Sequence, residues 1–317
     1  MLTPLLFLVV AATQQVPPNL TAEVDALLEQ DRRLAAVADR MVAANANLCR
    51  ATMPVTGFVL QSRDQYPAPA PDALFANGNV ALAVVLPGSA AEQAGLRRGD
   101  AIVRIGPAPI APRKPDGDAP QRDAAFDLLA ASPPPATAVT FRRDGHDQDV
   151  TLAAAAGCRV LVELRVESSV GARSNGRVVQ INSGLAERVD DGGLAVVLAH
   201  ELAHSVLEHR RRLEALGVAK GFFGEFGRNQ QLNRQMEVEA DRLSVHLLAN
   251  AGWDPALAPT FWRTAIGRKA GGGLLHSSTY PSAEGRAQLL EQEIADYLPG
   301  GGPSWPAHLL ARRNDGS

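Results

Sequence analysis

The stretch from Leu194 to His209, LAVVLAHELAHSVLEH, constrains this chain more than any other. It holds neither Gly nor Pro, and its apolar residues surround His200, Glu201 and His204 in the order H-E-x-x-H. That composition predicts a helix. Residues four apart on a helix share a face, so both imidazoles can reach one metal ion. Glu201 follows the first histidine by one position, where a carboxylate reaches a water on the metal rather than the metal. Zinc lowers the pKa of such a water to roughly 7, and a nearby carboxylate can take its proton during attack on a carbonyl. Two chance histidines on a buried helix would read the same. The rest of the chain must therefore supply a third ligand and leave a fourth position open.

The long metzincin pattern does not supply it, because His209 lies five residues after His204 with no Gly between them. A second segment does better. Around Glu237-Val238-Glu239-Ala240-Asp241, the residues Leu232, Met236, Ala240, Leu243 and Leu247 repeat at helical spacing and form one face. Glu237 and Asp241 share the neighbouring face, while Glu239 falls about 200° round from Glu237 and is expected to point away. Glu237 is thus the expected third ligand. Asp241 is the expected acceptor that orients a ligand histidine from behind. One Zn2+ per chain follows.

HELAH followed by E-x-E-A-D resembles the gluzincin metallopeptidases related to the CAAX prenyl protease and HtpX, and most closely their soluble, exported relatives. The resemblance covers roughly Gly157 to Pro299. Within it, ARSNGRVVQINSGL from Ala172 to Leu185 resembles the family's edge strand, which pairs with extended substrate. Where the family often has His-Pro and then Arg, this chain has Tyr280-Pro281 and Arg286. The resemblance implies a zinc endopeptidase of unfolded or misassembled envelope proteins, with Glu201 as general base and Arg286 behind the ligands. Its position puts Tyr280 beside the zinc, binding an oxyanion or gating the site; a loop tyrosine packed on the surface is the other reading. A polypeptide-binding or chaperone-like protein with a low-turnover zinc site is the alternative function. A purely structural zinc would need a fourth protein ligand, for which His276 is the residue to check.

The 317 residues, 46% of them apolar, can fill two cores, and a net charge of −3 gives no reason to expect a nucleic-acid partner. The start, MLTPLLFLVVAATQQVPP, carries an apolar run too short for a relaxed membrane span. It reads as a signal peptide cleaved after Ala12, with an uncleaved anchor or a misplaced start as alternatives, since no Lys or Arg precedes the run. The expected location is periplasmic or secreted, with no membrane contact required. Cys49 and Cys158 flank the middle of the chain. Export favours a bridge between them, and two buried thiols remain the other possibility.

The expected fold class is α+β: a minimal zincin (gluzincin) domain over residues 157–298, preceded by a β-rich PDZ-like domain over 51–156 and an amphipathic helix over 19–48. Residues 1–12 are the signal peptide and 299–317 a loosely held tail. The segment from Pro87 to Val103, PGSAAEQAGLRRGDAIV, resembles the bacterial PDZ module. That implies capture of peptide ends by strand addition, or else a spacer or lid. Further on, Val160 to Val166 and Arg177 to Ile181 read as two strands across a turn at Ser174-Asn175-Gly176. Phe222, Phe223 and Phe226 lie among glycines, reading as anchors for a linker or as a mobile apolar loop. His146 and His308 read as solvated, His209 and His246 as packed or capping.

Overall fold

The computed structural model describes residues 18–66, 73–111, 119–217, 228–274 and 282–314. The chain enters on α1 (Pro18–Ala44), whose Leu34, Val37, Ala38 and Met41 are buried at the spacing of one helical face. A β-rich region follows. β1 (Thr52–Pro54), β2 (Phe58–Ser62), β3 (Val80–Val85), the short helix α2 (Ala90–Gln93), β4 (Ala101–Ile105) and β5 (Ala108–Pro109) lead to α3 (Pro120–Ala131). The hairpin β6 (Ala136–Arg143) and β7 (His146–Ala153) turns at Asp144-Gly145, both at positive φ, and β8 (Ala156–Cys158) leaves the region. The order β2-β3-β4-β6-β7 is antiparallel throughout, with β5 on β4, and Leu82, Ile102, Phe141 and Leu152 fill its core beneath α3.

β1 pairs β8 with Thr52 opposite Cys158, so the entry and exit of the β-rich region are one antiparallel ladder. Beside it Cys49 and Cys158 form a disulfide with a Cα–Cα distance of 5.4 Å. Buried Arg122 on α3 pairs with Glu163, and Arg177 pairs with Asp127, which tie this region to the sheet that follows.

That sheet differs from the expected hairpin. β9 (Leu161–Arg165) and β11 (Val178–Asn182) run parallel, and β10 (Ala172–Ser174) lies antiparallel on the far side of β11, in the order β10-β11-β9. The turn at Ser174-Asn175-Gly176 therefore joins β10 to β11, not β9 to β11. At three residues, β10 is too short for alternation to reveal it. It stands at the edge of the sheet, next to the central helix.

After α4 (Ser183–Ala186) comes α5 (Asp191–Val206), capped by the Asp190 carboxylate accepting from Gly193 N at 2.8 Å. Every residue from Gly192 to Ala203 is buried. α7, α1, α8 and β10 pack around it. Helix α6 (His209–Ala215) follows a break at Glu208, a non-glycine residue at φ 54. α7 (Arg228–Asn250) ends where Gly252, at φ 70, lets Trp253 N reach Leu248 O at 2.9 Å. α8 (Leu257–Arg263), α9 (Ala265–Leu274) and α10 (Ala283–Tyr297) close the domain.

The C-terminal segment, expected to be loosely held, is docked instead. α11 (Ala307–Leu310) buries Leu309 and Leu310, and Arg313 donates to Leu48 O. His308, expected in solvent, donates to buried Glu293 at 2.8 Å and stacks on Tyr297. Two apolar residues and one cation in a Gly- and Pro-rich stretch carry no periodic signal, so only tertiary packing reveals the docking. Among the described residues no helix is long and apolar enough to cross a membrane.

Two measurements test this arrangement. Because the disulfide closes a loop spanning 109 positions, replacing both cysteines with Ala should cost about 2–5 kcal/mol of unfolding free energy, read by urea titration without reductant. Asp31, buried between α1 and the sheets, has its pKa raised to about 7, first by burial and then by the Glu163 charge. The folded state thus binds a proton that the unfolded chain, titrating near 3.9, has lost. Stability should fall as pH rises from about 4 to about 7 and level off above. Asp31→Asn should abolish a difference on the order of 2 kcal/mol between about pH 5 and about pH 8.

Candidate metal centre

α5 presents His200 and His204 on one face, one turn apart, and α7 crosses it with Glu237 facing them. His200 Nε2 lies 3.2 Å from Glu237 Oε2 and 3.3 Å from His204 Nε2, and His204 Nε2 lies 3.6 Å from Glu237 Oε1. Ligand atoms bonded tetrahedrally to zinc at roughly 2.0–2.1 Å stand about 3.3 Å apart. Two imidazoles and a carboxylate at those separations fit a zinc ion in both donor chemistry and spacing. Burial alone would lower the His200 pKa, but hydrogen bonds to Asp241 and Glu237 outweigh it and raise it to about 9. Burial would raise Glu237, yet the neighbouring histidines hold it well below the usual carboxylate range. The site favours positive charge.

His200 donates Nδ1–H to Asp241 Oδ1 at 2.9 Å, which turns Nε2 toward His204 and Glu237, the nitrogen that a metal ion would engage in place of a proton. Arg286 donates from Nη2 to Asp241 Oδ1 and from Nε to Oδ2, both at 2.6 Å, and its guanidinium lies 3.4 Å from the centre of the Trp262 ring. Asp241 and Arg286 therefore stand behind the first histidine. Glu201 is buried without a side-chain partner among the described residues, and burial raises its pKa. A carboxylate with raised proton affinity next to this cluster is equipped for proton transfer.

Glu239 points away from the cluster as its phase requires, but into a buried charge network rather than solvent. Its Oε2 accepts from Arg212 Nη1 at 2.6 Å, its Oε1 accepts from Gln235 Nε2 at 2.7 Å, and His209 Nε2 lies 3.4 Å from Oε2. His209 Nδ1 in turn lies 2.9 Å from His204 Nδ1. On an unbroken helix a residue five places on sits about 140° away. The left-handed turn at Glu208 is what brings His209 to His204. No Gly, Pro or Asn marks that break, so the sequence gives no warning of it. Replacing Glu239 with Ala, mild for a solvated acid, would here remove a buried carboxylate that Arg212 donates to and His209 faces.

A further cluster has no sequence signal. His246 and His308 donate from Nε2 to Glu293 Oε1 at 2.9 and 2.8 Å, and Arg242 donates to Oε2 at 2.6 Å. These are hydrogen-bond distances around one carboxylate that already holds a cation, unlike the wider spacing at His200, His204 and Glu237. Tyr280, His276 and the Phe222, Phe223 and Phe226 cluster lie outside the described residues.

Residues 169–229, which include α5, match the model of Peptidase family M48. The chain is also similar to two proteins named mitochondrial metalloendopeptidase OMA1. That of Schizosaccharomyces pombe is 32% identical over 126 residues, covering 33% of this chain and 37% of that protein. That of Arabidopsis thaliana is 31% identical over 138 residues, covering 37% and 27%. The chain thus spans about a third of the length of these curated relatives. The family match ends before Glu237, which the fold brings to the two histidines.

Removing the cation behind His200 leaves buried Asp241 with His200 as its remaining hydrogen-bond partner and no arginine to offset its charge. Arg286→Ala should destabilise the metal-free protein by about 3–5 kcal/mol in urea unfolding, whereas Arg263→Ala, which breaks exposed pairs with Glu284 and Glu291, should cost no more than about 1 kcal/mol.

Proposed function

We propose that this protein is a zinc-dependent endopeptidase of polypeptides, with His200, His204 and Glu237 holding one zinc ion. The convergence of their ligand atoms at 3.2, 3.3 and 3.6 Å beside buried Glu201 carries this reading. Zinc, when bound, supplies the Lewis acidity that activates water and polarises a carbonyl. Glu201 takes the proton of the attacking water on its carboxylate and returns it to the leaving amine, as its raised proton affinity allows. Asp241 and Arg286 hold the His200 ring so that Nε2 faces inward.

Extended substrate adds to the edge of the sheet at β10, which among the described residues has no strand partner on the side away from β11. The β-rich region, with its PDZ-like Pro87–Val103 segment, presents edge strands β2 and β7 for the same kind of contact with peptide ends. Tyr280 serves the oxyanion or gates the site. The disulfide favours an oxidising, exported setting, in which unfolded or misassembled envelope proteins are the substrates.

The test combines metal analysis with cleavage of casein. Wild-type protein should hold one zinc per chain and lose activity to a chelator. Glu201→Gln should keep the zinc while turnover falls by about 100-fold or more. Loss of zinc in that variant would make Glu201 a ligand, and undiminished turnover would remove it from the reaction.

A further inference from the structure

We infer that Glu239, acting through His209, sets the tautomer of His204 and so keeps its Nε2 open to the metal. The inference rests on the reading of His204 as a ligand. It concerns residues that touch neither metal nor substrate.

His204 Nδ1 and His209 Nδ1 lie 2.9 Å apart, so one donates and the other accepts. Suppose His209 donates. His204 then carries its proton on Nε2, pointing it at His200 Nε2 and Glu237, where it blocks a cation. His209 Nε2 would then turn a lone pair toward the Glu239 carboxylate. Suppose instead that His204 donates. Its Nε2 lone pair then faces the cluster, and His209 carries its proton on Nε2, toward Glu239 Oε2 at 3.4 Å. Only the second arrangement turns an N–H of His209, rather than a lone pair, toward the carboxylate. Arg212, 1% exposed, keeps Glu239 charged through its 2.6 Å bond, and Gln235 donates to the other oxygen. His209 Nε2 lies 3.4 Å from Glu239 Oε2, an electrostatic contact rather than a hydrogen bond, and it makes no hydrogen bond among the described residues. A carboxylate two rings away from the metal therefore selects the proton position on the ligand.

The expense of the device supports it. A buried Arg–Glu pair contributes little net stability, because desolvation offsets its attraction. The left-handed turn at Glu208 adds backbone strain of a kind that collects at functional sites. Both features converge on the back of His204, as Asp241 and Arg286 do on the back of His200. Each ligand histidine thus has its own carboxylate, one directly and the other through a second imidazole.

The experiment uses the full chain with 15N-labelled histidine, stripped of metal, and reads tautomers by long-range nitrogen–proton correlation at about pH 8. Wild-type His204 should carry its proton on Nδ1. Glu239→Gln offers His209 Nε2 either an oxygen or an NH2 group, so the selection is lost. His204 should then shift toward the Nε2–H form, and zinc affinity by chelator competition should fall by about 10–100-fold. Glu239→Asp, which keeps the charge, should recover part of both. Wild-type His204 protonated on Nε2 overturns the inference, and so does a Gln variant with an unchanged tautomer and affinity within about twofold. If the Gln variant does not fold, the wild-type spectrum alone decides. A wild-type protein with the Nδ1–H form that cleaves no peptide sinks the peptidase reading and leaves this one standing.

Discussion

A helix buried along most of its length leaves little water for its polar side chains, and α5 carries His200, Glu201 and His204 in its second half. Each must be matched from another element or remain as a deliberate cost. His200 is matched from α7 by Asp241, which α10 then neutralises with Arg286. His204 is matched from the start of α6 by His209, behind which α6 and α7 pair Arg212 with Glu239. Glu201 has no side-chain hydrogen bond among the described residues, and only the nearby charges of His200, His204 and Arg286 offset its burial. The packing of α5, α6, α7 and α10 is thus also the set of hydrogen bonds that turns two Nε2 atoms and one carboxylate toward a common point.

The rest of the chain braces that arrangement. α1 covers the other side of α5, and its Arg33 reaches the helix start through Asp191 and Val189 O. The β1–β8 ladder and the disulfide close the β-rich region at its base. That region can extend outward without straining the core it is fixed to. Glu293 serves as the corresponding hub at the far end of α7, gathering Arg242, His246 and His308 and thereby docking the C-terminal segment.

Local features were legible in the sequence where local chemistry decides them. The facing of His200 and His204 and the phase that separates Glu237 and Asp241 from Glu239 both follow from helical geometry. What escaped depends on contacts between elements. The parallel pairing of β9 with β11 hangs on a three-residue strand. The turn at Glu208 contradicts its own residue's preference, and Arg50 and Arg211 hold it in place by pairing with its carboxylate. His209 and Glu239 are ordinary polar residues on paper, and only the crossing of α6 and α7 makes them partners.

The central claim is that one metal ion sits where two imidazoles from α5 meet a carboxylate from α7. Anomalous diffraction at the zinc edge, from crystals of zinc-loaded protein, tests it most directly. The account predicts one strong peak at roughly 2.0–2.1 Å from His200 Nε2, His204 Nε2 and a Glu237 oxygen, with Glu201 outside bonding distance. A principal peak at His246, Glu293 and His308 instead, or a Glu201 oxygen bonded in place of Glu237, would contradict it.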